Sequence, residues 1–164
     1  MTKKIKVLEQ NIVLTDKDII VHQVNCLGKM GSGVAKAIYT KYPEVKKEYL
    51  KFHKKEMKKA SETRDLLGLV QFVDVYDGKI VANVFGQDKI RKNWKDTTVY
   101  TKEDKLIEGI QKVKELAEKQ GFSVAIPYEI GCGLANGDWN SVQPKIEAVF
   151  EDSDVDVVFY FYKG

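Results

Sequence analysis

The chain has 164 residues, 43% of them hydrophobic and 31% charged, which supports a packed core and excludes a disordered tail. Its 27 Lys and Arg against 24 Asp and Glu leave a formal charge of +3, too small a bias to argue for nucleic acid by itself. No apolar run approaches the roughly 20 residues that span a bilayer, and the basic start MTKKIKVLEQ lacks the apolar stretch of a signal peptide. Two cysteines, Cys26 and Cys132, make no disulfide framework. The expectation is one domain over residues 1–164, cytoplasmic and without membrane contact.

Strand-like and helix-like runs alternate, which argues for an α/β class. Ile5–Leu8 reads as a first strand and Ile19–Asn25 as a second, its IIV run suited to a strand covered on both faces. The glycine-rich turn LGKMGSG follows, and VAKAIYTKY starts a helix. Pro43 opens another helix through about Lys59. That stretch is rich in lysine, with Tyr49, Phe52 and Met57 interleaved. It reads first as a solvated face with snorkelling lysines, and second as a polyanion surface.

Leu69–Tyr76 and Lys79–Phe85 flank Asp77-Gly78, a hairpin signal. Residues 86–100 are polar and irregular. Lys102–Gln120 is the clearest helix, with Leu106, Ile110, Val113 and Leu116/Ala117 on one face and Gly121 at the C-terminal cap. Val124–Pro127 is a short buried strand, IGCGLANGDW a second glycine-rich loop, and Val142, Ile146, Val149 and Phe150 mark a last helix. Pro144 fits that helix only in its first turn, which makes Ser141 a candidate N-cap. Val155–Tyr162 completes about six strands. The hairpin makes the sheet mixed, and helices are expected on both faces.

Each glycine-rich loop follows a buried strand and precedes a helix, where open α/β sheets bind ligands. Without Cβ atoms, Gly31-Ser32-Gly33 and Gly131-Cys132-Gly133 let backbone N–H groups approach an anion closely. Side by side they would cradle a phosphate or diphosphate. Known nucleotide fingerprints do not fit. Gly28 and Gly33 have phosphate-loop spacing, but Val34-Ala35 stands where Lys-Ser/Thr is required, and the dinucleotide motif's third glycine is missing.

VLEQNIV, IIVHQVN running on to GSGVAKAI, IVANVFGQ, IPYEIGCGLANGDW and VVFYFY together resemble the macro domain family over nearly the whole chain. The likeness is greatest to a small single-domain branch that includes ADP-ribose-1''-phosphate-processing enzymes and the terminal ADP-ribose protein glycohydrolase. The resemblance implies a three-layer α/β/α fold with an ADP-ribose cleft at the strand ends. It places adenine near Asn11, Ile12 and Tyr160. The diphosphate lies between Gly31, Ser32, Gly33, Val34 and Gly131, Cys132, Gly133, Leu134, and the distal ribose lies at Asn25.

The chain departs from the family pattern in three places. Asn11 replaces the adenine-reading aspartate. Gly86 or Gln87 stands at the lysine of the glycohydrolase relatives, unless Lys89 swings in. Ala135 stands at their aspartate.

Candidate catalytic groups are Asn25, His22 and Asp138. A neutral His22 imidazole can exchange a proton near pH 7, although positions 22 and 25 of an ideal strand face opposite ways. Asp138 either activates water or caps a helix. Ser32 reads as a phosphate donor rather than a nucleophile. A cysteine at a helix N-terminus would have a lowered pKa and be prone to oxidation.

Neither a metal nor a cofactor is expected. The expected ligand is ADP-ribose or a derivative, with ADP-ribosylated protein or nucleic acid as a further partner class. The reaction implied is hydrolysis at C1'' of the distal ribose, by a phosphatase or an ADP-ribosyl hydrolase. The alternative is a non-catalytic reader module.

Overall fold

A computed structural model describes residues 4–163. Six strands, β1 (Lys6–Glu9), β2 (Ile19–Asn25), β3 (Val70–Asp74), β4 (Ile80–Gln87), β5 (Val124–Pro127) and β6 (Val157–Phe161), form one sheet. Four helices accompany them: α1 (Gly33–Lys41), α2 (Pro43–Met57), α3 (Glu103–Gln120) and α4 (Trp139–Val149). The strand order is β1-β6-β5-β2-β4-β3. All neighbours are parallel except the β3–β4 hairpin, whose tip holds Gly78 at φ 88°.

Alternation along the central strands divides the interior into two layers. Ile19 and Val21 of β2 pack with Leu106, Ile110 and Val113 of α3 and with Val142 and Ile146 of α4. Ile20 and Val24 pack on the other face with Ile38 of α1 and Val45 and Tyr49 of α2. Burying each such side chain stabilises the fold by about 1.5–3 kcal/mol, and this burial on both faces is why β2 reads as a continuous apolar run. Gly109 lets α3 lie directly on Val84, because a Cβ there would collide with the valine side chain. Gly121, at φ 71°, ends α3 in the left-handed cap that its position predicts.

Of the two N-caps that the sequence offers for α4, the structure uses Asp138, which accepts from the Asn140 amide at 3.1 Å, and not Ser141. The Ser141 hydroxyl donates instead to Glu103 at 2.7 Å. Pro144 therefore lies inside the helix, and the bond an amide there would have made to the Asn140 carbonyl is forgone. Among the described residues no helix is long and apolar enough to cross a membrane.

Candidate functional site

The parallel strands deliver their carboxyl ends to one edge of the sheet, where a cleft of about 870 Å³ opens. Both glycine-rich loops line it: Gly31, Ser32, Gly33 and Val34 after β2, and Gly131, Cys132, Gly133 and Leu134 after β5. They face each other closely, since a Cβ on Gly33 would lie 4.0 Å from the Leu134 side chain. A Cβ on Gly31 or Gly133 would meet no atom within 4 Å, so those backbones border open space. Gly33 and Gly131 adopt φ of 63° and 76°, which side chains disfavour. Gly33 opens α1, whose first-turn amides lack intrahelical acceptors and carry the positive end of the helix dipole. Ser32, the N-cap, makes no side-chain cap bond.

The first loop rests on Asn25. Its side-chain oxygen accepts from the Leu27 amide at 3.0 Å, and its side-chain nitrogen donates to the Lys29 carbonyl at 2.7 Å. The Tyr49 hydroxyl of α2 donates to the Asn25 carbonyl at 2.7 Å. Asn25 turns its side chain to the α2 face shared by Ile20 and Val24, its oxygen lying 3.1 Å from the Tyr49 hydroxyl, against the alternation of an ideal strand. The register with β4 slips at the same point, Val24 pairing with Phe85 and Asn25 with Gln87, which leaves Gly86 as the extra residue of β4.

The second loop is held by a segment that carries no motif. Arg91 donates to the Leu134 carbonyl at 3.0 Å and to the Asn136 side chain at 2.6 Å. Asn136, at φ 60°, in turn donates to the Asp96 and Thr98 carbonyls, both at 2.9 Å. The Thr101 hydroxyl donates to the Gly131 carbonyl at 2.5 Å and accepts from Gln23 at 3.0 Å. Gln87, Ile90 and Arg91 also line the cleft. Nothing in the polar run 86–100 marks these residues; the one signal is a long irregular segment within a compact α/β chain.

His22 borders the cleft yet is only 2% exposed. Its Nε2 bonds the Asn83 side-chain oxygen. Burial pushes its pKa down to about 4, outweighing that bond, so at pH 7 the ring is neutral and its bare nitrogen accepts rather than donates. Cys26 and Cys132 are pushed up to about 12, in both cases chiefly by burial. Neither has the lowered pKa expected at a helix N-terminus, because α1 and α4 begin beyond them, at Gly33 and Trp139.

Four candidates lie outside the lining of the main cleft. Asn11 caps the 3-10 turn Ile12–Leu14, accepting from the Val13 amide at 3.2 Å, and lines a neighbouring depression with Gly33, Lys36 and Lys41. Ile12 and Tyr160 are buried with the α1–α2 layer, and the Tyr160 hydroxyl meets that of Thr15 at 2.5 Å. Asp138 is engaged at the α4 cap. Lys89 is exposed and does not line the cleft, and Ala135 is buried. Glu129, at φ 62°, brings a carboxylate to the cleft wall, where Lys29 and Arg91 supply two cations. Among the described residues no three His, Cys, Asp or Glu side chains gather to hold a metal ion.

The arrangement defines a three-layer α/β/α protein whose parallel strands bring two amide-rich loops to one nucleotide-sized cleft. The chain belongs to the macro domain family, whose profile matches residues 21–146. It is 28% identical over 152 residues to a Mycobacterium tuberculosis protein named DNA ADP-ribosyl glycohydrolase, covering 92% of this chain but 40% of that relative's length. A Bacteroides thetaiotaomicron protein of unknown function superposes with TM-score 0.83 at 26% identity, covering 98% of this chain and 99% of that one. A Streptomyces coelicolor macrodomain protein superposes with TM-score 0.77 at 25% identity, covering 96% and 98% respectively.

Proposed function

We propose that this chain binds ADP-ribose and hydrolyses an ADP-ribosyl derivative at C1'' of the distal ribose. The observation that carries the reading is the approach of the two glycine loops across one cleft, with Gly33 4.0 Å from Leu134 by its notional Cβ. Backbone amides of Gly31, Ser32, Gly33 and Val34 on one side, and of Gly131, Cys132, Gly133 and Leu134 on the other, suit a diphosphate carrying about two negative charges.

Sheet order supports the direction of the ligand. Asn11, Ile12 and Tyr160 stand at the β1–β6 end, suited to adenine, and Asn25, His22 and Gln87 stand at the β2–β4 end, suited to the distal ribose. There Asn25 holds the sugar, His22 accepts from a hydroxyl or water, and Asp138 acts only if a ligand draws it from the α4 cap. The named activity of the mycobacterial relative favours ADP-ribose carried on nucleic acid, with ADP-ribosylated protein and ADP-ribose-1''-phosphate as the other substrates.

One observation favours a second reading, a reader without turnover. By the family resemblance, Gly86 or Gln87 and the buried Ala135 stand where glycohydrolase relatives carry the lysine and aspartate.

Calorimetric titration with ADP-ribose, followed by incubation with ADP-ribose-1''-phosphate and with an ADP-ribosylated DNA oligonucleotide, separates these. Saturable heat with release of free ADP-ribose is the expected result. Heat without release assigns the chain as a reader, and no heat removes both readings.

A further inference from the structure

Beneath the first loop, four groups from four elements form a chain whose direction is fixed by chemistry. The Glu48 carbonyl of α2 can only accept, and it takes the Gln71 side-chain amide at 2.9 Å. Gln71 therefore presents its oxygen to Asn83, which donates its side-chain nitrogen at 3.0 Å. Asn83 must then turn its oxygen toward His22, whose Nε2 lies against it. An acceptor there requires a donor, so the proton sits on Nε2. Nδ1 is left with a bare lone pair. It is buried and has no hydrogen-bond partner among the described residues, although buried polar atoms are almost always paired. His22 and Asn83 are 2% and 0% exposed, so ring and amide have little freedom to exchange roles.

We infer that Gln71 and Asn83 are positioning residues that lock His22 as the Nε2–H tautomer, leaving Nδ1 to accept a hydrogen bond from a hydroxyl of the distal ribose. The inference rests on the ADP-ribose reading and adds to it a means of telling ADP-ribose from ADP. ADP lacks the distal sugar, so it offers no hydroxyl donor at this end of the cleft. Gln71 lies on β3, the edge strand, and does not line the cleft, so it can act only through Asn83 and His22.

The experiment uses the full chain with 15N-labelled histidine, titrated separately with ADP and with ADP-ribose. In the wild type, the unliganded His22 spectrum should show a neutral ring protonated at Nε2. ADP-ribose should move the Nδ1 resonance and ADP should not. Gln71→Leu removes the acceptor that orients Asn83, whose amide can then turn over and offer NH2 to the ring. The Nδ1–H tautomer should gain population, and the preference for ADP-ribose over ADP should fall about tenfold with ADP affinity unchanged. Gln71→Glu gives up the bond to the Glu48 carbonyl but keeps an obligate acceptor for Asn83, and should retain both tautomer and preference.

An Nδ1–H ring in the wild type overturns the inference, as does an ADP-ribose preference untouched by Gln71→Leu. If neither nucleotide binds, the ADP-ribose reading itself fails and the ribose contact fails with it. The histidine spectrum still reports whether the chain from Glu48 sets the tautomer.

Discussion

The two glycine loops present similar backbones to the cleft but are stabilised by different means. The first, after β2, is held mainly by its near neighbours: Asn25 folds beneath Leu27 and Lys29, and α1 begins at Gly33, with Tyr49 of α2 adding one bond from farther off. The second, after β5, is held by residues remote in sequence: Arg91 bonds a carbonyl 43 residues away and Thr101 one 30 residues away. The difference shows that a loop's residue pattern can announce an anion cradle without disclosing what keeps the cradle in shape. It also means that damage to the second loop can be inflicted from outside the cleft.

The largest effect is expected within the first loop. Gly33→Glu puts a carboxylate at the diphosphate position, adds a side chain at φ 63°, and fills the gap toward Leu134. ADP-ribose binding should weaken by at least about 100-fold, roughly 2.7 kcal/mol, with the thermal unfolding midpoint little changed by comparison. Calorimetry checks this, and retained affinity removes the first loop from the phosphate site.

The first loop's side of the sheet also contains the buried titratable ring. His22 has a folded pKa near 4 against an ordinary value of 6.5, so between these values the unfolded chain binds the extra proton. Stability should therefore be fully present above about pH 6.5 and fall as pH drops toward 4, by up to about 3 kcal/mol, then level off for this group. Urea unfolding at several pH values, compared with His22→Phe, isolates the contribution. An identical pH slope in the variant would show that the ring is not buried neutral.

On the second loop, Thr101→Val should cost about 1–3 kcal/mol of stability, because the Gly131 carbonyl and the Gln23 amide both lose their partner. Arg91→Ala should release the Leu134 and Asn136 contacts and weaken ADP-ribose about tenfold, roughly 1.4 kcal/mol, while leaving most of the core stability. The smallest effect returns to the first loop. Tyr49→Phe removes the hydroxyl bonded to the Asn25 carbonyl but keeps the ring against Phe85, and should cost about 1 kcal/mol. If Arg91→Ala changes nothing and Tyr49→Phe abolishes binding, the contrast between the loops is reversed.

What the sequence discloses follows the same division. β2 and β5 fall on their expected residues because runs buried on both faces are locally apolar. The face of α3 and its Gly121 cap follow from helical period and glycine's tolerance of positive φ. The loops are visible because glycine clusters at strand ends are local features.

The clamp made by Arg91, Asn136 and Thr101 is not visible, since polar residues in an irregular segment carry no period. Nor is the Glu48–Gln71–Asn83–His22 chain, because its members meet only after β2, β3, β4 and α2 assemble. The α4 cap was ambiguous because Asp138 and Ser141 are both good N-caps. Resolving it against Pro144 required knowing that the helix tolerates one missing amide. Asn11 and Asn25 are legible as polar groups near strand ends, but not the partners that they bond there.

The most direct test of the central claim is a crystal structure of the chain with ADP-ribose. The account predicts diphosphate oxygens within about 3.2 Å of backbone amides from both the Gly31–Val34 and the Gly131–Leu134 segments, with the distal ribose toward Asn25 and His22. A diphosphate bound to one segment alone, or lodged away from both, contradicts it.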